Sequence, residues 1–197
     1  MTIPAIRSIG VYCGSSNGSR PAYAAAAREL GTAIAGRGIA LVYGGGRVGL
    51  MGAVADAALA AGGHVHGIIT HELLGAEVGH LGLSTLDVVA SMHERKLAMA
   101  EAADGFIALP GGFGTLDELC EVLTWTQLGI HRKPVALVNT LGYWDHFIAQ
   151  AAVAAAEGFV KPVHRDLLRV ASDPGAAIDL LLAPVARPEP KWVDERP

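Results

Sequence analysis

Cysteine is scarce in this chain: two residues, Cys13 and Cys120, among 197. So few thiols, in a chain of alternating strand and helix patterns, argue against a disulfide framework. They favour buried thiols in a reducing compartment. Basic blocks are missing as well. The net charge is −4, and without concentrated Lys and Arg the electrostatic footprint of a nucleic-acid partner is lacking. No uncharged apolar run reaches the roughly 18–20 residues needed to span a bilayer. Residues 1–8 lack the basic-then-apolar pattern of a secretory leader. A soluble, cytoplasmic protein with no membrane segment is expected.

Glycine, by contrast, is abundant, with 25 residues that fall in clusters. Clustered glycines mark turns where backbone comes close to a ligand. Hydrophobic residues make up 51% of the chain, enough for a sizeable core. Short apolar runs predict strands over 6–13, 39–43, 64–70, 85–90, 106–109 and 134–139. Helical patterns cover 21–37, 49–61, 92–103, 115–128, 143–157 and 174–182. Residues 71–82 read as irregular, and a further short element precedes the last helix. This alternation predicts one α/β domain over 1–183, a parallel sheet with helices on both faces. Such sheets bind ligands beyond the carboxyl ends of their strands, where the glycine clusters fall. Residues 184–197 hold four prolines and read as an extended or disordered tail.

Two glycine loops carry chemistry. Gly44-Gly45-Gly46-Arg47-Val48-Gly49 fits G-x-G-x-x-G between a strand and a helix. It reads either as a tight turn or as a loop lining a nucleotide. No acidic residue ends the next strand to hold a ribose, which argues against an NAD-dependent oxidoreductase. In Pro110-Gly111-Gly112-Phe113-Gly114-Thr115 the three glycines leave N–H groups free to converge on an anion. Thr115 then opens a helix whose dipole favours phosphate. No P-loop lysine follows, so a single phosphate fits better than a triphosphate. Thr115-x-x-Glu118 also fits a capping box; the glycine run before it favours the anion site.

A third segment, Ser91-Met92-His93-Glu94-Arg95-Lys96, opens the helix after the fourth strand. Met92, Arg95 and Met99 share a helical face, which sets Arg95 near the binding edge. Its guanidinium suits phosphate or carboxylate, although charge runs of this kind are more often solvated surface. His93 reads as a surface or capping histidine.

S-M-H-E-R-K (Ser91–Lys96) with P-G-G-F-G-T-L-D-E (Pro110–Glu118) closely resembles the signature pair of the LONELY GUY family, cytokinin riboside 5′-monophosphate phosphoribohydrolases. V-Y-C-G-S-S (Val11–Ser16) and V-Y-G-G-G-R-V-G-L-M-G (Val42–Gly52) are similar to that family too. The resemblance runs from about residue 6 to 182. It implies a Rossmann-like fold, a homodimer, and neither metal nor cofactor. It also implies hydrolysis of the N-glycosidic bond of an adenine-type nucleoside 5′-monophosphate. Arg95 and Glu118 would be the catalytic pair. Gly111, Gly112, Gly114 and Thr115 would hold the phosphate, with Met92 and Lys96 beside the nucleotide and Gly45 and Gly46 lining it. On this reading Arg95 keeps Glu118 ionised. A lysine decarboxylase label carried by some members finds no pyridoxal-binding lysine context here. The rival reading is a non-catalytic nucleotide or cofactor carrier of the same fold. The helices over 92–103 and 115–128 are expected near the dimer contact, with Leu119, Val122, Leu123, Trp125 and Leu128 as surplus apolar residues.

Overall fold

Side chains along a strand point alternately to the two faces of its sheet, and the apolar runs divide accordingly. In the computed structural model, which describes residues 6–76 and 78–184, β1 (Ser8–Tyr12) sends Ile9 and Val11 to one face and Tyr12 to the other. β2 (Ala40–Tyr43), β5 (Gly105–Ala108) and β6 (Val135–Val138) follow suit. Leu41, Tyr43, Ile107 and Ala136 join Ile9, whereas Val42, Phe106, Ala108 and Leu137 join Tyr12. β3 (Val65–Thr70), β4 (Thr85–Val89) and β7 (Leu168–Ala171) complete the sheet.

The seven strands are all parallel, in the order β4-β3-β2-β1-β5-β6-β7. The chain builds outward from β1 to β4, then crosses back to lay β5 on the other side of β1. The strand order reverses between β1 and β5, which is where an open α/β sheet forms its ligand crevice.

Helices cover both faces. α1 (Pro21–Gly36), α2 (Gly49–Ala60) and α8 (Pro174–Leu182) lie on the Ile9 face through Leu30, Ile34, Val54, Ile178 and Leu181. α4 (Met92–Ala102) and α5 (Phe113–Leu128) lie on the Tyr12 face through Met99, Leu119 and Val122. Trp144, just before α6 (Asp145–Ala156), packs with them. The single Rossmann-like α/β domain read from the sequence is the one observed. The tail expected over 184–197 lies outside the described residues, apart from Pro184. Among the described residues, no helix is long and apolar enough to cross a membrane.

Departures from the sequence pattern are local. Residues 71–82 contain a short helix, α3 (His71–Gly75), because the Thr70 hydroxyl accepts the Leu73 N–H at 3.3 Å and caps it. The helix expected from 143 starts at Asp145, after a 3-10 turn over Thr140–Gly142. A four-residue helix, α7 (Pro162–Arg165), precedes β7. Of the two thiols expected to be buried, Cys13 is buried and Cys120, on the outer side of α5, is exposed; both are free.

One glycine sets how closely two helices approach. Gly31 of α1 faces α2, and a Cβ there would stand 2.2 Å from the Val54 carbonyl oxygen and 3.0 Å from the Ala58 nitrogen. Alanine gains about 1 kcal/mol over glycine in a helix interior. No rotamer change relieves a backbone clash, however, so the helices would have to part. Gly31→Ala is expected to destabilise the fold by about 1–3 kcal/mol, read as a lower urea midpoint. A midpoint at or above that of the wild type refutes this account of the contact.

Candidate active site

Arg95 is long, charged and only 6% exposed. A buried guanidinium must have its donors satisfied, and main-chain carbonyls in and just past two neighbouring strands do this. Its Nε donates to the Ile68 carbonyl of β3 at 3.0 Å, and Nη2 to the Gly44 carbonyl just past β2 at 3.0 Å. The third nitrogen, Nη1, faces the Glu118 carboxylate of α5 at 3.6 Å, with the Met92 sulfur 4.0 Å away. The Arg95–Glu118 separation is that of an ion pair rather than a tight hydrogen bond. Arg95 thus lies buried against the carbonyls of Ile68 and Gly44, and the solvated-patch alternative does not hold.

α4 delivers this side chain from its first turn. Ser91 caps the helix by accepting the Glu94 N–H at 3.2 Å, and the Glu94 carboxylate accepts the Ala90 N–H at 3.0 Å. A reciprocal cap thus exists in this protein, one motif earlier than Thr115-x-x-Glu118.

Glu118 itself is not a cap. α5 begins at Phe113 with Gly112 in the capping position, two residues before the start expected from the sequence. Glycine has no side chain with which to cap, so the first-turn N–H groups are not taken up by a side chain at Gly112. Thr115 lies inside that first turn, 3% exposed. Its hydroxyl sits against Gly111, where a Cβ would come within 2.1 Å of Oγ1 and 2.8 Å of the Gly14 nitrogen. Around Gly112 and Gly114 an added Cβ would meet nothing within 4 Å. The loop is thus packed at Gly111 and open at Gly112 and Gly114, with a helix N-terminus behind it.

The electrostatics differ from the expectation that Arg95 keeps Glu118 ionised. Burial raises the Glu118 carboxyl from its usual value near 4.5 to about 7. Arg95 and Lys96 pull it down, Asp117 and Glu121 push it up, and desolvation is the largest of these influences. Lys96 is held by Asp117 and Glu121, each at 3.1 Å. Burial lowers the affinity of its amine for a proton, but the bonds to the two carboxylates outweigh that and raise it. Lys96 therefore stands as a charged neighbour of Glu118. Asp117 is turned toward Lys96 and solvent.

The remaining expected residues separate into two groups. Met92 is 46% exposed and lies beside the guanidinium. Gly45 and Gly46 are buried under the segment that follows α3: the Gly45 carbonyl accepts the His80 N–H at 2.8 Å, and Gly46 bridges to Gly79. The glycine that touches the charged pair is Gly44, where a Cβ would lie 1.8 Å from Nη2 of Arg95. In a run of three glycines the sequence does not single it out. Leu119 and Val122, expected as surplus contact surface, belong to the core. Among the described residues no group of three or more His, Cys, Asp or Glu could hold a metal.

Comparison with known proteins bears on this geometry. A family model described as "possible lysine decarboxylase" matches residues 51–181. A probable cytokinin riboside 5′-monophosphate phosphoribohydrolase of Oryza sativa subsp. japonica is 51% identical over 167 residues, 85% of this chain and 74% of that protein. A cytokinin riboside 5′-monophosphate phosphoribohydrolase of Arabidopsis thaliana is 49% identical, over 82% of this chain and 75% of its own length. The chain belongs to the LONELY GUY family. Among solved structures, the molybdenum cofactor binding protein of Rippkaea orientalis superposes with a TM-score of 0.69 at 25% identity, over 91% of this chain and 98% of that one. For this LONELY GUY member the decarboxylase description has little in the site to support it. The lysine beside Glu118 is an ion-paired ammonium, not a free amine ready to form a Schiff base.

The raised Glu118 pKa links stability to pH with a definite sign. Between about pH 4.5 and 7 the unfolded chain gives up this proton and the folded one keeps it. Stability from this group is therefore full at low pH and falls as pH rises toward 7. Glu118→Gln removes the effect. The variant should match the wild type near pH 4 and exceed it by up to about 3 kcal/mol near pH 8. Urea unfolding of both proteins across that range checks it, and a constant difference at all pH values would refute it.

Proposed function

We propose that the protein hydrolyses the N-glycosidic bond of cytokinin riboside 5′-monophosphates and of AMP, releasing the free base and ribose 5-phosphate. The observation that carries this reading is the buried Arg95–Glu118 pair on the same strand-end edge as the open glycine turn at the start of α5. The names of relatives about 50% identical over most of the chain support it.

Glycosidic cleavage passes through a cation-like sugar. The ionised Glu118 carboxylate stabilises that charge and takes a proton from the attacking water. The water oxygen bonds to C1′, the C1′–N bond breaks with its electrons leaving on the base, and the leaving nitrogen takes a proton from solvent water. Arg95, pinned by two carbonyls, fixes the carboxylate's position and favours its ionised form against the cost of burial. Gly111, Gly112, Gly114 and Thr115 hold the 5′-phosphate, whose binding energy positions the remote reacting bond. Met92 borders the nucleotide. Lys96 acts through its field on Glu118. Gly45 and Gly46 shape the floor behind Gly44. Asp117, engaged by Lys96, is not suited to protonate the base.

The protein is further proposed to work as a cytoplasmic homodimer. The exposed free thiol of Cys120 suits a reducing compartment. Met92, Leu97 and Leu128 leave apolar surface on α4 and α5. A cofactor carrier is the second reading, favoured by the fold shared with the Rippkaea orientalis protein.

Chromatography of reactions with AMP, isopentenyl-AMP and adenosine separates the two readings. Free base should appear from both monophosphates and far more slowly from adenosine. Glu118→Gln should keep AMP binding and lose about a hundredfold or more in turnover. No base from any purine monophosphate at high protein concentration overturns the hydrolase reading and leaves the carrier. Light scattering that finds only monomer at micromolar concentration overturns the dimer.

A further inference from the structure

Two consecutive peptide carbonyls in the loop after β5, those of Pro110 and Gly111, are held from outside the loop. The Pro110 carbonyl accepts the Gly14 N–H at 3.0 Å. The Gly111 carbonyl accepts the hydroxyl of Tyr143, a residue 32 positions away in sequence. A trans peptide is planar, with its C=O and N–H pointing in opposite directions. Holding the Gly111 oxygen therefore turns the Gly112 N–H away from Tyr143. Glycine on both sides makes the Gly111–Gly112 peptide unusually free to flip, and a flip would exchange the N–H for a carbonyl oxygen on the side away from Tyr143.

Tyr143 is set in place by a strained turn. Leu141 has φ 55°, in the left-handed region, and Gly142 has φ 72°. Asn139 clamps the turn: its amide donates to Asp145 at 2.7 Å, and its side-chain oxygen accepts the Trp144 N–H at 2.8 Å. Trp144 is 1% exposed and anchors the turn in the core. The Tyr143 ring lies edge-on to Trp144 at 5.1 Å and to Tyr23 at 5.8 Å. Strain held by such over-determination is found where a side chain's position matters.

We infer that Tyr143 is a positioning residue for the phosphate loop. Its hydroxyl locks the Gly111–Gly112 peptide in the orientation that offers an N–H, not a carbonyl oxygen, to the substrate's 5′-phosphate. This rests on the proposed nucleotide monophosphate reading, because the lock matters only if the loop takes an anion. The Tyr143 hydroxyl donates to the loop's main chain at Gly111 and not to Glu118, so its loss should act on affinity for the phosphate rather than on the chemical step.

Tyr143→Phe removes the hydroxyl and keeps the ring contacts. Its thermal unfolding should stay close to that of the wild type. Calorimetric binding of ribose 5-phosphate should weaken about tenfold, the scale of one hydrogen bond's contribution. KM for AMP should rise by a similar factor while kcat changes less than about twofold, and adenosine turnover should be unaffected, as for loss of uniform binding. Unchanged ribose 5-phosphate affinity, or equal losses on AMP and adenosine, overturns the lock. A wild-type protein that binds no ribose 5-phosphate removes the anion site and the lock with it. Binding that weakens as expected in a protein without hydrolytic activity keeps the lock and rejects the hydrolase reading alone.

Discussion

A guanidinium buried in protein requires hydrogen-bond acceptors for its donors, and at Arg95 that requirement organises the site. Two acceptors are main-chain carbonyls of neighbouring strand segments, Gly44 just beyond β2 and Ile68 within β3. The carbonyls leave the third nitrogen facing Glu118 across 3.6 Å. Because the acceptors belong to the sheet, the charge sits on the rigid part of the molecule. The capped first turn of α4 and the parallel pairing of β2 with β3 converge on one planar group.

Glu118 shows what that charge does and does not achieve. A single cation at ion-pair distance does not offset the desolvation of a buried carboxylate, so proton affinity stays high, near neutrality. A group in that state takes or gives a proton near pH 7 with little driving force either way, as general acid–base work requires. The same burial makes the ionised form costly for the fold. The site is therefore destabilised by the group proposed to do its chemistry.

Much of this was legible in the sequence. Short apolar runs alternating with helical patterns were enough for the parallel sheet, and the glycine clusters fall at the strand ends, as read. The motif around Arg95 and that around Glu118 were read as one site, and the structure brings the two side chains together. What escaped was tertiary in origin. α5 starts at Phe113 because Gly112 takes the capping position without leaving a capping side chain for a sequence pattern to register. The high proton affinity of Glu118 depends on burial that no local pattern encodes. Gly44 looks like its two neighbours until the guanidinium is placed against it. Tyr143, far along the chain, has no signature linking it to the loop it touches.

The contact between Gly44 and Arg95 also governs how the chain can vary. With 1.8 Å between a would-be Cβ and Nη2, any side chain at position 44 displaces the guanidinium, and displacing it strands two buried carbonyls. The two positions thus form a coupled pair, separated by 51 residues. A substitution at 44 has to be accompanied or preceded by a shorter residue at 95. A descendant that gave up the charge would be released from the glycine just past its second strand. Retention of both residues together would mark the lineages still using this charge.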